Sequence, residues 1–331
     1  MRARRAALLA AVVVTSSLSL AVPAQAAPSS LNSGQSGGSC SLPTGESTVT
    51  VTSSGTARTA LVYRPAATDR HQKPLPVFLT LHGSSSRASE QLGVSGIEQS
   101  ADRHGFLAVA PQGTMTSGPG YQWNVPGVTA GSGPDDERFL TDLLDTLAST
   151  GCADTGQVLA SGYSGGGRMV SQYACDHPDR VTAIAPVAGL RAGVPVTDGS
   201  GATVPDPGTC VPKRPVPVIT FHGTADPVNP YEGGGEPYWG YGARTALAAW
   251  AKLDHCRRGP VTTPVSAHVD KVSYGACRAG TDVELYTVAG GGHTWPGSDI
   301  DFGPLGPVTQ EIDATELAWR FLQDQSHTST R

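Results

Sequence analysis

Gly162-Tyr163-Ser164-Gly165-Gly166 sets a serine between glycines at the spacing G-x-S-x-G. A serine hydroxyl is a weak nucleophile until a base takes its proton, and it attacks only where its Oγ stands clear of the backbone. A tight strand-to-helix turn meets that need, and flanking glycines admit the strained conformation. In a chain with 41 glycines the pattern alone carries little weight, so its flanks matter. Val158-Leu159-Ala160 leads in as an apolar, strand-like run, and Arg168 to Ala174 leads out with helical character. Ser164 is therefore expected between a strand's end and a helix's N-terminus, as the nucleophile of an acyl transfer.

In such an arrangement the acid follows the serine and the histidine follows the acid. Of nine histidines, His255, His268, His293 and His327 lie beyond a suitable acid. His255 ends a helical run beside Cys256, His268 lies in a polar stretch between two cysteines, and His327 is in the C-terminal tail. His293 follows the strand-like run DVELYTV through Ala289-Gly290-Gly291-Gly292, a loop able to carry an imidazole over a sheet edge. Asp226 comes just after VITFHG, the same address on its strand that Ser164 has on its own; Asp198 and Asp206, in a Pro/Gly-rich excursion, are weaker alternatives. His293 would take the Ser164 proton during attack on an ester carbonyl and return it to the leaving alcohol, while Asp226 fixes the imidazole tautomer. The resulting oxyanion needs N–H donors. One is Gly165 N–H; the other is expected from Leu81-His82-Gly83-Ser84-Ser85-Ser86, with Ser84 preferred and Ser85 the alternative. His82 is read as a brace of that loop.

These residues need a scaffold that delivers strand ends to one edge. Strand-like runs TVTVTS, RTALVYRP, PVFLTLH, FLAVAP, QVLASGYS, VTAIAPVAG, PVPVITFHG and DVELYTVAG alternate with helical stretches near Ala88–His104, Asp135–Ser149, Gly166–Cys175, Ala243–Leu253 and Gln310–Gln323. Near-continuous apolar strands bounded by Gly and Pro predict an α/β fold, with a mostly parallel central sheet and helices on both faces. Ligands in such sheets sit beyond the carboxyl ends of the strands.

The first 26 residues read as a secretory signal: Arg2, Arg4 and Arg5, an apolar stretch from Ala6 to Leu20, then Ala24-Gln25-Ala26. Residues 27–39 read as a flexible Ser/Gly-rich leader, and residues 40–331 as a single catalytic domain. The expected location is secreted, extracellular, with no membrane association after signal cleavage and a monomeric state. All six cysteines follow the signal, and an even count in an exported chain predicts disulfides. Cys256–Cys277 is preferred as a local loop, then Cys175–Cys210, leaving Cys40 for Cys152. The net charge of -5 and the 15% of charged residues leave no footprint for nucleic acid and no polyelectrolyte tail. No phosphate loop or metal-ligand spacing is present, so no cofactor and no metal are expected.

The motifs LHGSSS, Trp123-Asn124 followed by DDERFL, GYSGGGRM, HGTADPVNPY and GGGHTWPG together resemble the secreted esterases of the polyhydroxybutyrate-depolymerase-like group, which overlaps carbohydrate esterase family 1. The resemblance runs over residues 45–322. It implies the α/β-hydrolase fold, a Ser164–Asp226–His293 triad, and a substrate cleft bordered by Trp295 and the Tyr121–Asn124 region. Such elbows often carry asparagine at the position of Gly165; the backbone N–H is the group required there. The resemblance implies three competing substrates: feruloyl groups on plant arabinoxylan, favoured here, acetyl groups on xylan, and polyhydroxybutyrate. Small aromatic esters fall within the first. A feruloyl pocket calls for an aromatic or apolar wall, with Trp123, Tyr121, Trp295, Tyr231, Tyr238 and Trp239 as candidates, although aromatics in Gly-rich loops often only plug the loop onto the domain. Outside the esterases, a serine peptidase or an inactive carbohydrate-binding protein are the alternatives.

Overall fold

The computed structural model describes residues 40–70, 73–129 and 132–328. The expected signal and leader, residues 1–39, lie outside the described residues. The sheet opens with a hairpin, β1 (Gly45–Ser53) and β2 (Thr56–Arg64), whose Thr/Val alternation suits a ribbon with one wet face. Ser54 and Gly55 join them at φ 48° and 77°, the two positive values that a two-residue type I′ turn requires. Next come β3 (Leu75–Leu81), β4 (Leu107–Pro111), β5 (Ala153–Tyr163), β6 (Ala183–Val187) and β7 (Val218–Gly223). A second hairpin, β8 (Arg258–Pro264) and β9 (Val269–Gly275), precedes β10 (Val283–Val288). The spatial order is β1-β2-β4-β3-β5-β6-β7-β10-β9-β8. The six inner strands from β4 to β10 pair in parallel, and the two hairpins add antiparallel edges.

Burial of the inner strands on both faces follows from the helices. On one face lie α3 (Asp136–Ser149), α4 (Gly165–Asp176) and α5 (Ala243–Leu253); on the other lie α1 (Ala88–Ser95), α2 (Ile97–His104) and α6 (Ala314–Thr328). Alternation divides the strand residues between two cores: Val77, Leu79 and Leu81 of β3 pack with the α3 leucines, whereas Phe78 packs with Phe106 and the α6 face. The single helix expected over Ala88–His104 is two, because Gly96 at φ 57° ends α1 and starts α2. The last helix begins at Ala314 rather than near Gln310, where Asp313 Oδ1 accepts the N–H groups of Thr315 and Glu316. The β8–β9 hairpin was not expected: β8 is exposed at every residue, so its sequence carries no apolar alternation.

Three disulfides pair Cys40 with Cys152, Cys175 with Cys210, and Cys256 with Cys277, the pairs preferred from the sequence. They pin the start of the described chain beside β5, the end of α4 to the Pro/Gly-rich excursion, and α5 to the foot of the second hairpin. A buried ion pair does comparable positioning work inside. Arg58 Nη2 of β2 donates to Asp136 Oδ1 at 2.7 Å and to Gln112 O at 3.1 Å, while Asp136 Oδ2 accepts from Asn124 N at 2.7 Å. Burial pushes the Asp136 carboxyl above its usual range, against the opposing effect of the Asn124 N–H and of Arg58. Removing the cation would leave that carboxylate enclosed without its partner, at a cost of about 3–5 kcal/mol. Arg58→Met is therefore expected to lose that much stability in urea denaturation; a loss under about 1 kcal/mol would contradict the role given to the pair.

Candidate active site

β3, β5, β7 and β10 deliver their following loops to the same sheet edge. At the end of β5, Ser164 takes φ 52° and ψ -112°, a conformation that strains a residue with a Cβ. Its N–H donates to Val187 O at 2.9 Å, and its carbonyl accepts Arg168 N–H at 3.0 Å to open α4. The turn is tight enough that a Cβ on Gly162 would stand 2.4 Å from Gly166 C, and one on Gly166 2.2 Å from Leu81 O. The elbow glycines thus permit a backbone approach that side chains would block.

The acid and base meet across adjacent strands. After β7, Asp226 Oδ2 accepts from His293 Nδ1 at 2.7 Å, and Oδ1 accepts the N–H groups of Val228 and Asn229, each at 2.8 Å. His222 adds a contact that sequence reasoning missed: its Nε2 lies 3.2 Å from Asp226 Oδ2 and 2.8 Å from Asn229 O. Two acceptors at one nitrogen place the hydrogen on Nε2. The signal was present as a histidine four residues before the acid, in HGTAD. Burial pushes the Asp226 carboxyl up, but the hydrogen bonds and charges of His222 and His293 outweigh it and hold the group below the carboxylate range. For His293, burial dominates and lowers the imidazole below its usual 6.5, against the opposing pull of Asp226. With Nδ1–H committed to the carboxylate, Nε2 is left as the basic nitrogen. The histidine loop is fixed by His293 N donating to Leu305 O at 2.7 Å and Tyr163 Oη to His293 O at 2.5 Å.

Ser164, His293, Gly165 and Ser84 share one cavity of about 430 Å³. A Cβ on Gly165 would stand 2.4 Å from Ser84 Oγ and 3.2 Å from Ser84 N, so this glycine brings the two expected donors together. Ser85 does not line the cavity; its Oγ pairs with Ser117 Oγ at 3.0 Å. His82 braces the loop: Nδ1 donates to Gly83 O at 2.8 Å, and Nε2 accepts Gly113 N–H at 3.0 Å. Its burial lowers the imidazole to about 4, consistent with that neutral bridging form.

Of the six aromatic candidates from the sequence, Trp123 and Tyr238 line the cavity, Trp123 with Nε1 anchored on His82 O at 2.8 Å, whereas Trp239 is buried with its Nε1–H on Pro230 O at 2.8 Å. Trp295 is a correction: it is buried in the core beneath α6, and its Nε1–H donates to Thr315 Oγ1 at 3.1 Å. Tyr231 is likewise turned away, with its hydroxyl 2.8 Å from Thr287 Oγ1 and its ring against His222. Tyr121 sits in the ribbon Gly120–Gln122 beneath Arg87 and bridges to Ser86. Tyr163 and Arg168, not expected there, line the cavity with Trp123 and Tyr238, beside an apolar wall of Met115, Val125, Val128 and Leu305. Tyr163 lies inside the elbow motif and Arg168 two residues beyond it, positions that in sequence carry no signal besides the glycines. The alternative acids close turns of their own, Asp198 on Ser200 N and Asp206 on Gly208 N, and His268 pairs with Glu311 on the surface.

Elbow, acid–base pair and sheet order together define an α/β-hydrolase architecture. No protein-family model matches the chain. Feruloyl esterase B of Piromyces equi is 30% identical over 228 residues, covering 67% of this chain and 40% of that protein. The chain thus spans about two fifths of that relative's length. A putative esterase of Nocardia uniformis subsp. tsuyamanensis, NocK, is 28% identical over 275 residues, 75% of this chain and 74% of its own. Among solved structures, acetyl xylan esterase from Aspergillus awamori superposes with a TM-score of 0.52 at 15% identity, covering 75% of this chain and 94% of that one, a likeness of fold. The chain has the α/β-hydrolase fold and is similar in sequence to the two relatives named as esterases.

A base whose pKa is lowered stays unprotonated further into acid. Any reaction that needs Nε2 of His293 free is therefore expected to show an acidic limb of kcat/KM with its inflection below 6.5. A pH profile with that inflection above 7 would contradict the assignment.

Proposed function

We propose that this chain is a secreted serine carboxylesterase in which Ser164 is the nucleophile, His293 the general base and acid, and Asp226 the residue that orients His293. The observation that carries the reading is the 2.7 Å hydrogen bond from His293 Nδ1 to a wholly buried Asp226 carboxylate, in a cavity that Ser164 also lines. Asp226 holds the Nδ1–H tautomer, so Nε2 takes the Ser164 proton as Oγ attacks the ester carbonyl. The tetrahedral oxyanion is met by the N–H groups of Gly165 and Ser84, and each such donor is worth roughly 3 kcal/mol of transition-state stabilisation. His293 then protonates the leaving alcohol, and water, activated by the same nitrogen, hydrolyses the acyl-enzyme.

For the substrate, we favour a hydroxycinnamoyl ester of plant cell-wall polysaccharide. Trp123, Tyr163 and the Met115–Val125–Val128–Leu305 wall offer an apolar surface that an aryl ring would cover and an acetyl group would leave largely wet. The relatives named as feruloyl esterases support the same choice. The second reading is acetyl removal from xylan, for which a related bifunctional acetylxylan esterase/xylanase of Neocallimastix patriciarum speaks. Three disulfides suit an exported protein.

Methyl ferulate is expected to be hydrolysed with a higher kcat/KM than acetylated xylan, the measure by which specificity is decided; the reverse ratio would favour the second reading. Ser164→Ala is expected to lower kcat by roughly 10⁶, and Asp226→Asn by roughly 10⁴ through loss of the tautomer. A serine-directed organophosphorus reagent should label Ser164 in the unaltered protein, as peptide mass mapping would show. Full turnover by the alanine variant would remove Ser164 from the nucleophile role.

A further inference from the structure

Arg168 stands one helical turn beyond Ser164, in the first turns of α4, and it lines the same cavity although only 4% of its surface is exposed. Buried guanidinium groups are ordinarily met by a carboxylate. Arg168 forms no ion pair among the described residues. Its Nη1 donates to the neutral Asn229 Oδ1 at 3.2 Å, its guanidinium carbon lies 4.7 Å from the Tyr238 ring centroid, and its Nε has no hydrogen-bond partner among the described residues. The nearest candidate anion is already committed: both Asp226 oxygens are taken by His293, His222, Val228 N and Asn229 N.

A second buried guanidinium sharpens the imbalance. Arg191 is held by neutral groups, donating from Nη1 to Tyr238 O at 2.6 Å and from Nη2 to Gly193 O at 3.0 Å, with the Tyr241 hydroxyl also beside it. Arg168 and Arg191 are thus both enclosed, and neither forms an ion pair among the described residues. A purely bracing role for Arg168 does not fit well, because Asn229 is fixed without it: Nδ2 donates to Ala188 O at 2.6 Å, N–H to Asp226 Oδ1, and its carbonyl accepts from His222. Burial lowers the Arg168 guanidinium to about 10, so it is charged at neutral pH.

We infer that Arg168 is a specificity-determining residue that binds a carboxylate carried by the ester substrate. The inference rests on the serine esterase reading above but not on its hydroxycinnamoyl substrate, whose carboxyl group is the ester itself and offers no anion to Arg168. The planar fork of a guanidinium matches a carboxylate, and two substrate types would present one: a half-ester of a dicarboxylic acid, with the anion on the acyl side, or an ester of a hydroxy acid, with the anion on the alcohol side. The chain's net charge of -5 works against anions in general, so a preference for them requires this local cation.

The test compares kcat/KM at pH 7 within two matched pairs: monomethyl glutarate against its neutral half-amide, methyl 5-amino-5-oxopentanoate, and 2-acetoxyacetate against 2-acetoxyacetamide. The unaltered enzyme is expected to favour the charged member of one pair by roughly 10–100-fold, the size of a charge-assisted hydrogen bond; the pair that shows it identifies the side of the ester. In Arg168→Met that ratio should fall to about one, while Arg168→Lys should keep part of it. Should the methionine variant fail to fold, the ratios of the unaltered and lysine enzymes decide alone. Hydrolysis of both members of both pairs at equal kcat/KM would overturn the role of Arg168 and leave the esterase reading standing. No hydrolysis of these esters, methyl ferulate or 4-nitrophenyl acetate would overturn the esterase reading, and this inference with it.

Discussion

Everything at the edge of the sheet is arranged around the Asp226 carboxylate. It is wholly enclosed yet held in its ionised form by four donors, two from side chains and two from the backbone of the turn that follows it. Each donor fixes something else in turn. Val228 and Asn229 set the path of the loop, His293 takes its tautomer from the bond, and His222 ties the end of β7 to the same oxygen. A carboxylate left with fewer partners in this place would take up a proton rather than stay charged. The Asp226–His293 bond and the turn around it are therefore one unit, and damage to either reaches Nε2 of His293.

The sheet makes that unit possible by setting β5, β6, β7 and β10 side by side in parallel. Register places Gly223 beside Val288, so the acid and histidine loops leave the sheet at the same level, and the elbow leaves it two strands from β7, with β6 between. Close approach is then required of every loop. The left-handed Ser164 and the glycine contacts behind it raise the energy of the folded state locally, and the offsetting contribution comes from the two apolar cores that the inner strands separate. Arg58 and Asp136 join the edge hairpin to the start of α3 and to the Trp123–Asn124 segment, which carries the aromatic wall of the cavity.

The sequence made the skeleton of this arrangement legible, because apolar period and glycine placement are local signals. The eight strand-like runs, the elbow and the addresses of Asp226 and His293 on their strands could all be read from spacing. What could not be read depends on which way a side chain turns once its loop is packed. The family resemblance implies a cleft role for Trp295, but the chain turns after His293 so that its indole enters the core and bonds Thr315. Tyr231 behaves the same way toward Thr287. Conversely, Tyr163 and Arg168 flank the serine so closely that the motif explained them away. The β8–β9 hairpin escaped notice for a different reason: a strand exposed on both faces has no buried set to impose a period.

Charge is where local and global descriptions of the molecule part company. The chain as a whole is acidic, while Arg168 in the cavity wall and the buried Arg191 donate to neutral oxygens. An apolar residue at position 168 would satisfy packing beside Tyr238 without the cost of enclosing a cation. The cation also lowers the basicity of His293, although burial does so more strongly. Arg168 therefore burdens both the stability of α4 and the proton affinity of the base. A group with two such costs and no anionic partner of its own within the described residues finds its physical explanation in what enters the cavity.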